Sequence, residues 1–128
     1  MATTIEQRGT CLPLAVTHPA SPSSGDPVRL GTITGVAITD EGDGGNTTTD
    51  TSVELGFFVT EQYVDDDAGS GISVGDKIYY DDTATGDPET NLNVDGVNGV
   101  FFGFALEAVT ADATSKIKIL HLPMADIS

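Results

Sequence analysis

The chain has 128 residues, with 20 Asp and Glu against 5 Lys and Arg, for a formal net charge of −15. A surface of that sign repels the phosphate backbone of nucleic acid, which is bound by charge neutralisation, and it repels anionic lipid. No apolar run approaches the roughly 20 residues of a membrane span, and the opening MATTIEQRGT lacks the basic and apolar regions of a cleavable export signal.

Residues 1–10 are polar and unpatterned, which predicts an arm. Beyond Cys11, the alternation of Leu12, Leu14 and Val16 predicts a strand, and Pro13 places it at a sheet edge. Cys11 is the only cysteine, so no internal disulfide can form, and it reads as a small buried residue of that strand. HPASPSSGDP at 18–27 is a loop. Val28–Leu30 and Gly35–Thr39 are expected to pair as short strands, with Gly31–Thr34 as the turn.

DEGDGGNTTTD at 40–50 has nothing to bury and reads as a flexible loop. Val53, Leu55, Phe57 and Val59 then alternate, predicting one half-buried strand over 51–59. Residues 60–74 admit either a helical turn around Glu61–Val64 or a loop. Lys77–Tyr80 is a strand entering the turn-rich DDTATGDPET, and Leu92–Val94 is a short one. Val100, Phe102, Phe104, Leu106 and Ala108 alternate again, Ile117 and Ile119 close the pattern, and 123–128 is an exposed tail. No apolar period of 3.6 residues is sustained, so short strands separated by Gly, Pro, Asn and Asp predict an all-β domain over 11–122.

One phrase occurs twice. GDPVRLGTITGVAITD at 25–40 shares its frame with GDKIYY at 75–80 followed by GFALEA at 103–108. Each passage is followed by an alternating strand, TSVELGFFV at 51–59 and TSKIKILHL at 114–122. This predicts a small β-barrel with an internal pseudo-repeat. Gly25, Asp26, Gly35, Gly75, Asp76 and Gly103 hold the repeated positions and read as turn-structural residues. Asp26 and Asp76 would cap turns with their carboxylates, as Asp does when it bonds nearby backbone N–H groups.

The search for chemistry returns little. Asp40 to Asn46 has the look of a calcium loop, but Gly42 and Gly44 stand where oxygen ligands belong and Thr51 where the closing Glu belongs. Asp65, Asp66 and Asp67 point in different directions along the backbone and read as a solvated turn, and Asp81 and Asp82 as hairpin residues. His18 and His121 have no ligand spacing. No nucleophile elbow, phosphate loop or paired-cysteine motif occurs. The expectation is no catalytic residue, no metal and no cofactor, hence no enzyme.

Thirty-eight per cent hydrophobic residues argue against disorder, leaving the acidity as a skin on a folded domain, of the kind found in proteins of high-salt organisms. Alternation buries Phe57, Phe102 and Phe104 and puts Phe58 and Phe101 on the opposite face. A sheet that is apolar on both faces needs a second cover, either more of the same chain or another subunit.

In order, GDPVRLG, GVAIT, VELGFF, VGDKIYYDD, GFALEA and SKIKIL resemble the head decoration, or capsid cement, proteins of tailed bacterial and archaeal viruses. The matching positions are Gly25, Asp26, Val28, Gly31, Gly35, Val36 and Ala37, then Gly56 with Phe57 or Phe58, then Gly75, Asp76, Ile78, Tyr79, Asp81, Gly103 and Ala105. The resemblance covers roughly residues 25–122 and departs in the acidic loop at 40–50 and the long connection at 82–98.

The resemblance implies a β-tulip-like barrel that binds the outer capsid surface of the virion after synthesis in the host cytoplasm. Its partners would be the major capsid protein and itself, as a homotrimer, with no nucleic acid and no membrane. The arm would reach the capsid or a neighbouring copy through residues such as Thr3, Thr4, Ile5, Gln7 and Arg8, and Phe58 and Phe101 become candidate contacts. Alternatives are another virion β-protein, such as a head fibre base or tail component, and an extracellular binding module.

Overall fold

The computed structural model describes residues 11–43, 45, 48–66, 69–81, 91–97 and 99–122. Among them there is no helix, and the fold is all-β. The strands are β1 (Cys11–Leu14), β2 (Pro27–Leu30), β3 (Ile33–Ala37), β4 (Thr51–Glu54), β5 (Phe58–Asp65), β6 (Lys77–Tyr80), β7 (Leu92–Asn93), β8 (Val100–Ala105) and β9 (Thr114–His121). They form two antiparallel sheets, one of order β1-β4-β3-β2 and one of order β5-β9-β8-β6-β7. The larger sheet curls, bringing its edge strands β5 and β7 into contact.

The hydrophobic pattern explains the layering. Ile78, Tyr80, Leu92, Phe102, Ile117 and Ile119 leave almost no surface exposed and fill the concave side of the larger sheet. Val36 of β3 joins the same cluster, so the two sheets share a core. Each such side chain contributes roughly 1.5–3 kcal/mol by leaving water. Val28, Ala37 and Val53 make a smaller cluster within the first sheet, covered by Leu14, Val16 and Leu55. β1 lies at a sheet edge, where Pro13 costs no ladder bond.

The β2–β3 turn is tighter than the expected four residues. Leu30 pairs with Ile33, leaving only Gly31 and Thr32 in the loop. Gly31 supplies the positive φ of 61° that such a turn requires.

Two sequence expectations fail for a common reason. The single strand expected over 51–59 is two strands, β4 in one sheet and β5 in the other. The chain crosses between sheets at 55–57, and the crossing inverts the alternation. Val53 is buried, but Phe57 is 68% exposed and Val59 56% exposed, while Phe58, Gln62 and Val64 turn inward. Residues 60–65, expected as a helical turn or loop, continue β5 and pair with β9 along its whole length.

A second inversion occurs in β8. Ile78 pairs with Gly103 and Tyr79 with Phe101, so Phe102 is an extra residue at a bulge. Phe102 and Ala105 therefore share the core, whereas Phe101 and Phe104 meet edge to face at 5.4 Å on the other side. The expected grouping of Phe57, Phe102 and Phe104 on one buried face does not occur.

Candidate interaction surface

The two Gly-Asp passages make the same turn. Gly25 and Gly75 both have φ of 94°. Asp26 Oδ2 accepts from the Ser23 N–H at 2.9 Å, and Asp76 Oδ2 from the Ser73 N–H at 2.8 Å. The Gly25 and Gly75 N–H groups donate to the Ala37 and Ala105 carbonyls, each at 2.7 Å, and the Ala37 and Ala105 N–H groups donate back to the Asp26 and Asp76 carbonyls, each at 2.9 Å. Both carboxylates are thus occupied with backbone.

Gly35 and Gly103 are close-approach positions. A Cβ on Gly35 would lie 2.5 Å from the Glu54 carbonyl oxygen, and one on Gly103 would run into the Leu120 carbonyl oxygen. Glycine lets each strand lie against its neighbour here.

Both histidines tie the sheets together. His18, bridged to Arg29 of β2, places Nδ1 2.6 Å from the Tyr80 hydroxyl of β6. His121 of β9 is fully buried, stacked on Phe58 at 4.6 Å, and bonded to Thr34 of β3. Burial lowers its pKa, against the opposing pull of the Gly56 and Thr34 carbonyls and the Glu54 charge.

Cys11 is half-buried rather than buried. Desolvation first, and the charge of Glu54 second, raise its pKa and keep it a thiol. Asp66 is buried, and its Oδ2 accepts from the Gly71 and Asp112 N–H groups at 2.7 and 2.9 Å. Among the described residues no group of three or more His, Cys, Asp or Glu side chains is arranged to hold a metal.

The sequence-derived contact residues divide sharply. Thr3, Thr4, Ile5, Gln7 and Arg8 lie outside the described residues. Phe58 is half-buried against His121, and Phe101 is 3% exposed, covered by its own chain between Tyr79 and Phe104. Neither is an open apolar surface. Other apolar residues are open instead, among them Phe57 and Val59, with Tyr63 on the same strand as Val59 at 41% exposure, and Val74 and Val97 in loops. Gly56 was the available signal for the first two, since a glycine inside an alternating run marks a break or bulge.

Phe57, Val59 and Tyr63 flank the convex face of the larger sheet. Val59, Glu61 and Tyr63 of β5 stand opposite Leu120, Lys118 and Lys116 of β9. Between the exposed lysines, Ile117 is buried, so Lys116 and Lys118 lie on the side away from the core.

A family model described as phage cement protein matches residues 6–121. No curated protein and no solved structure matches the chain. The family is structural, a component of the viral capsid, and not a class of enzyme. With its two β-sheets, its carboxylates bound into turns and its match from end to end of the described strands, this chain belongs to the phage cement protein family.

Proposed function

We propose that the chain binds the outer surface of the viral head and cements neighbouring major capsid protein subunits, acting as a homotrimer. The observation that carries this reading is the family match across residues 6–121. In this reading residues 11–122 form one domain seated on the shell, and residues 1–10 are an arm that adds contacts through Thr3, Thr4, Ile5, Gln7 and Arg8. Exposed Phe57 is a better candidate for subunit contact than Phe101, which its own chain covers.

The physical logic favours a clamp without chemistry. A protein that spans several shell subunits gains from multivalency, because every contact after the first is intramolecular. Such a protein needs solubility, a stable core and partner surfaces. The net charge of −15 disfavours contact with packaged DNA or with membrane.

Mass-spectrometric counting of the chain in purified virions tests the reading, with reconstruction of the particle. A copy number approaching that of the major capsid protein, with density outside the shell, is expected. Density inside the shell or only at the tail would overturn it. Removal of residues 1–10 is expected to leave the fold intact and weaken attachment to heads, since unpatterned ends can order on a partner. Unchanged affinity would remove the arm from the contact set.

A further inference from the structure

Strand β5 has an open edge. The Leu106 N–H donates to the Lys118 carbonyl and the Leu122 N–H to the Phe102 carbonyl, so the even-numbered residues of β9 bond to β8. Its odd-numbered Ile117, Ile119 and His121 therefore bond to β5, where they stand opposite Gln62, Thr60 and Phe58. Val59, Glu61 and Tyr63 are left with N–H and C=O groups directed away from β9, and no described residue bonds to them. β7 approaches this side as the sheet curls, but it is two residues long and forms no ladder with β5. An unpaired edge of this kind is a template for another strand.

The chain carries a strand already aligned with that edge. In β4 the Ser52 carbonyl accepts the Ile38 N–H, so even-numbered residues there bond toward β3 and odd-numbered ones toward β1. Gly56, also even, aims its carbonyl at His121 Nδ1 of β9 at 2.7 Å, and His121 meets Thr34 of β3. β3 and β9 thus lie on one side of the chain as it runs from β4 into β5, with β1 and the open edge on the other. The core-facing side changes at this crossing, but the hydrogen-bonding side does not. β1 pairs Leu14 with Thr51 and Cys11 with Glu54. The same register continued backwards sets Gly9 opposite Gly56, Glu6 opposite Val59, Ile5 opposite Thr60 and Thr4 opposite Glu61.

We propose that residues 4–10, which lie outside the described residues, extend β1 and pair with the open edge of β5 in the same chain. The phase agrees. Leu12 and Leu14 face Val53 and Thr51, which bond toward β1, and Glu6 and Thr4, of the same parity, fall opposite Val59 and Glu61, whose backbone groups are free. The bend agrees, because both strands then carry a glycine, Gly9 and Gly56, where the chain crosses between sheets. The cover agrees as well. On the core side of β5, Gln62 and Val64 are buried but Phe58 and Thr60 only in part. The register brings Ile5, the one branched apolar residue of the arm, to that half-covered end. Glu6 and Arg8 cancel, so the arm approaches the acidic body without net repulsion. The pairing is a property of the free chain, and it leaves the outer edge of the arm open to the shell.

Disulfide trapping in the full chain tests the register. In a Cys11→Ser background, Thr60→Cys is combined in turn with Thr3→Cys, Ile5→Cys or Gln7→Cys, and dilute protein is oxidised mildly. Directly opposed residues of a non-hydrogen-bonded pair stand about 4.5 Å apart at Cα, within disulfide range, whereas diagonal neighbours at about 7–8 Å fall outside it. The Ile5→Cys variant should close within one chain almost completely, and the other two hardly at all. Equal closure by all three would overturn the register, and closure by none would overturn the pairing. Disulfides between chains would overturn it in favour of a neighbouring copy's arm. Hydrogen exchange on the otherwise unaltered chain reads the bonds themselves. Removing residues 1–10 should speed exchange of the Val59 and Glu61 amides about fivefold or more, the loss of roughly one net hydrogen bond at each. The Thr60 amide, bonded to β9, should not change. Val59 and Glu61 amides that exchange equally fast with and without the arm would also overturn the pairing, and none of these results bears on whether the chain binds heads.

Discussion

His121 on β9 and Thr34 on β3 are joined across the two sheets: Nε2 of the fully buried ring lies 3.1 Å from the Thr34 hydroxyl and 3.0 Å from the Thr34 carbonyl oxygen. On the other side, Nδ1 lies 2.7 Å from the Gly56 carbonyl oxygen, in the crossing from β4 to β5. A neutral ring has one N–H and two carbonyl neighbours, so it donates to only one of them; with the proton on Nδ1 it donates to Gly56, and Nε2 faces the Thr34 hydroxyl as an acceptor. One imidazole thus fixes strand β3, strand β9 and the crossing between sheets.

Desolvation holds the His121 pKa below its ordinary 6.5 in the folded chain, so the unfolded chain takes up this proton first. The contribution of His121 to stability is complete above the unfolded value and is lost as pH falls below it toward the folded value. The unfolding free energy should fall by no more than about 1.4 kcal/mol per pH unit in that window, the slope for one proton. Urea unfolding of wild type and His121→Gln between about pH 5 and 8 checks this, since that range brackets histidine titration. The extra slope below neutrality should vanish in the variant. Equal slopes would remove His121 as its source.

Gly103→Ala should destabilise the fold, because its Cβ meets the Leu120 carbonyl oxygen of the neighbouring strand. Backbone, not a flexible side chain, stands in the way. A cost of about 1–3 kcal/mol is expected, as for other overpacked sites. The denaturant midpoint measures it, and a variant as stable as wild type would show that β8 and β9 can part there freely.

Phe102 and Phe57 should respond in opposite ways to truncation. Phe102 is fully buried in the main core, and Phe102→Ala should cost about 3–5 kcal/mol. Phe57 is mostly exposed, and Phe57→Ala should change stability by no more than about 0.5 kcal/mol. Thermal melting of both variants decides between the observed strand crossing and an unbroken strand over 51–59, which would make Phe57 the costly residue.

Salt should raise the melting temperature. The charge of −15 repels itself within a small domain, and screening shortens the range of that repulsion from about 10 Å at 0.1 M to about 3 Å at 1 M. Melting in a neutral-salt series such as NaCl should shift upward and then level off. A flat or falling series would mean that the acids are too far apart to matter.

The amino-acid sequence by itself determined the all-β class, the strands at Lys77–Tyr80 and Val100–Ala105, the edge position of Cys11–Leu14 and the family. These are local properties: period-two alternation, proline without an N–H, and Gly-Asp turns can be read within a few residues. Two phase shifts were decided only by the tertiary structure. At Gly56–Phe57 the chain leaves one sheet for the other, and at Phe102 a bulge adds one residue against β6. Each shift exchanges inside for outside in the residues that follow, so Phe57 and Val59 face solvent and Phe104 leaves the core side to meet Phe101. Alternation specifies a face only along an unbroken pleat. Where the pleat breaks depends on which distant strand lies alongside, and that also gathers Lys77 with Lys116 and Lys118 on one convex surface.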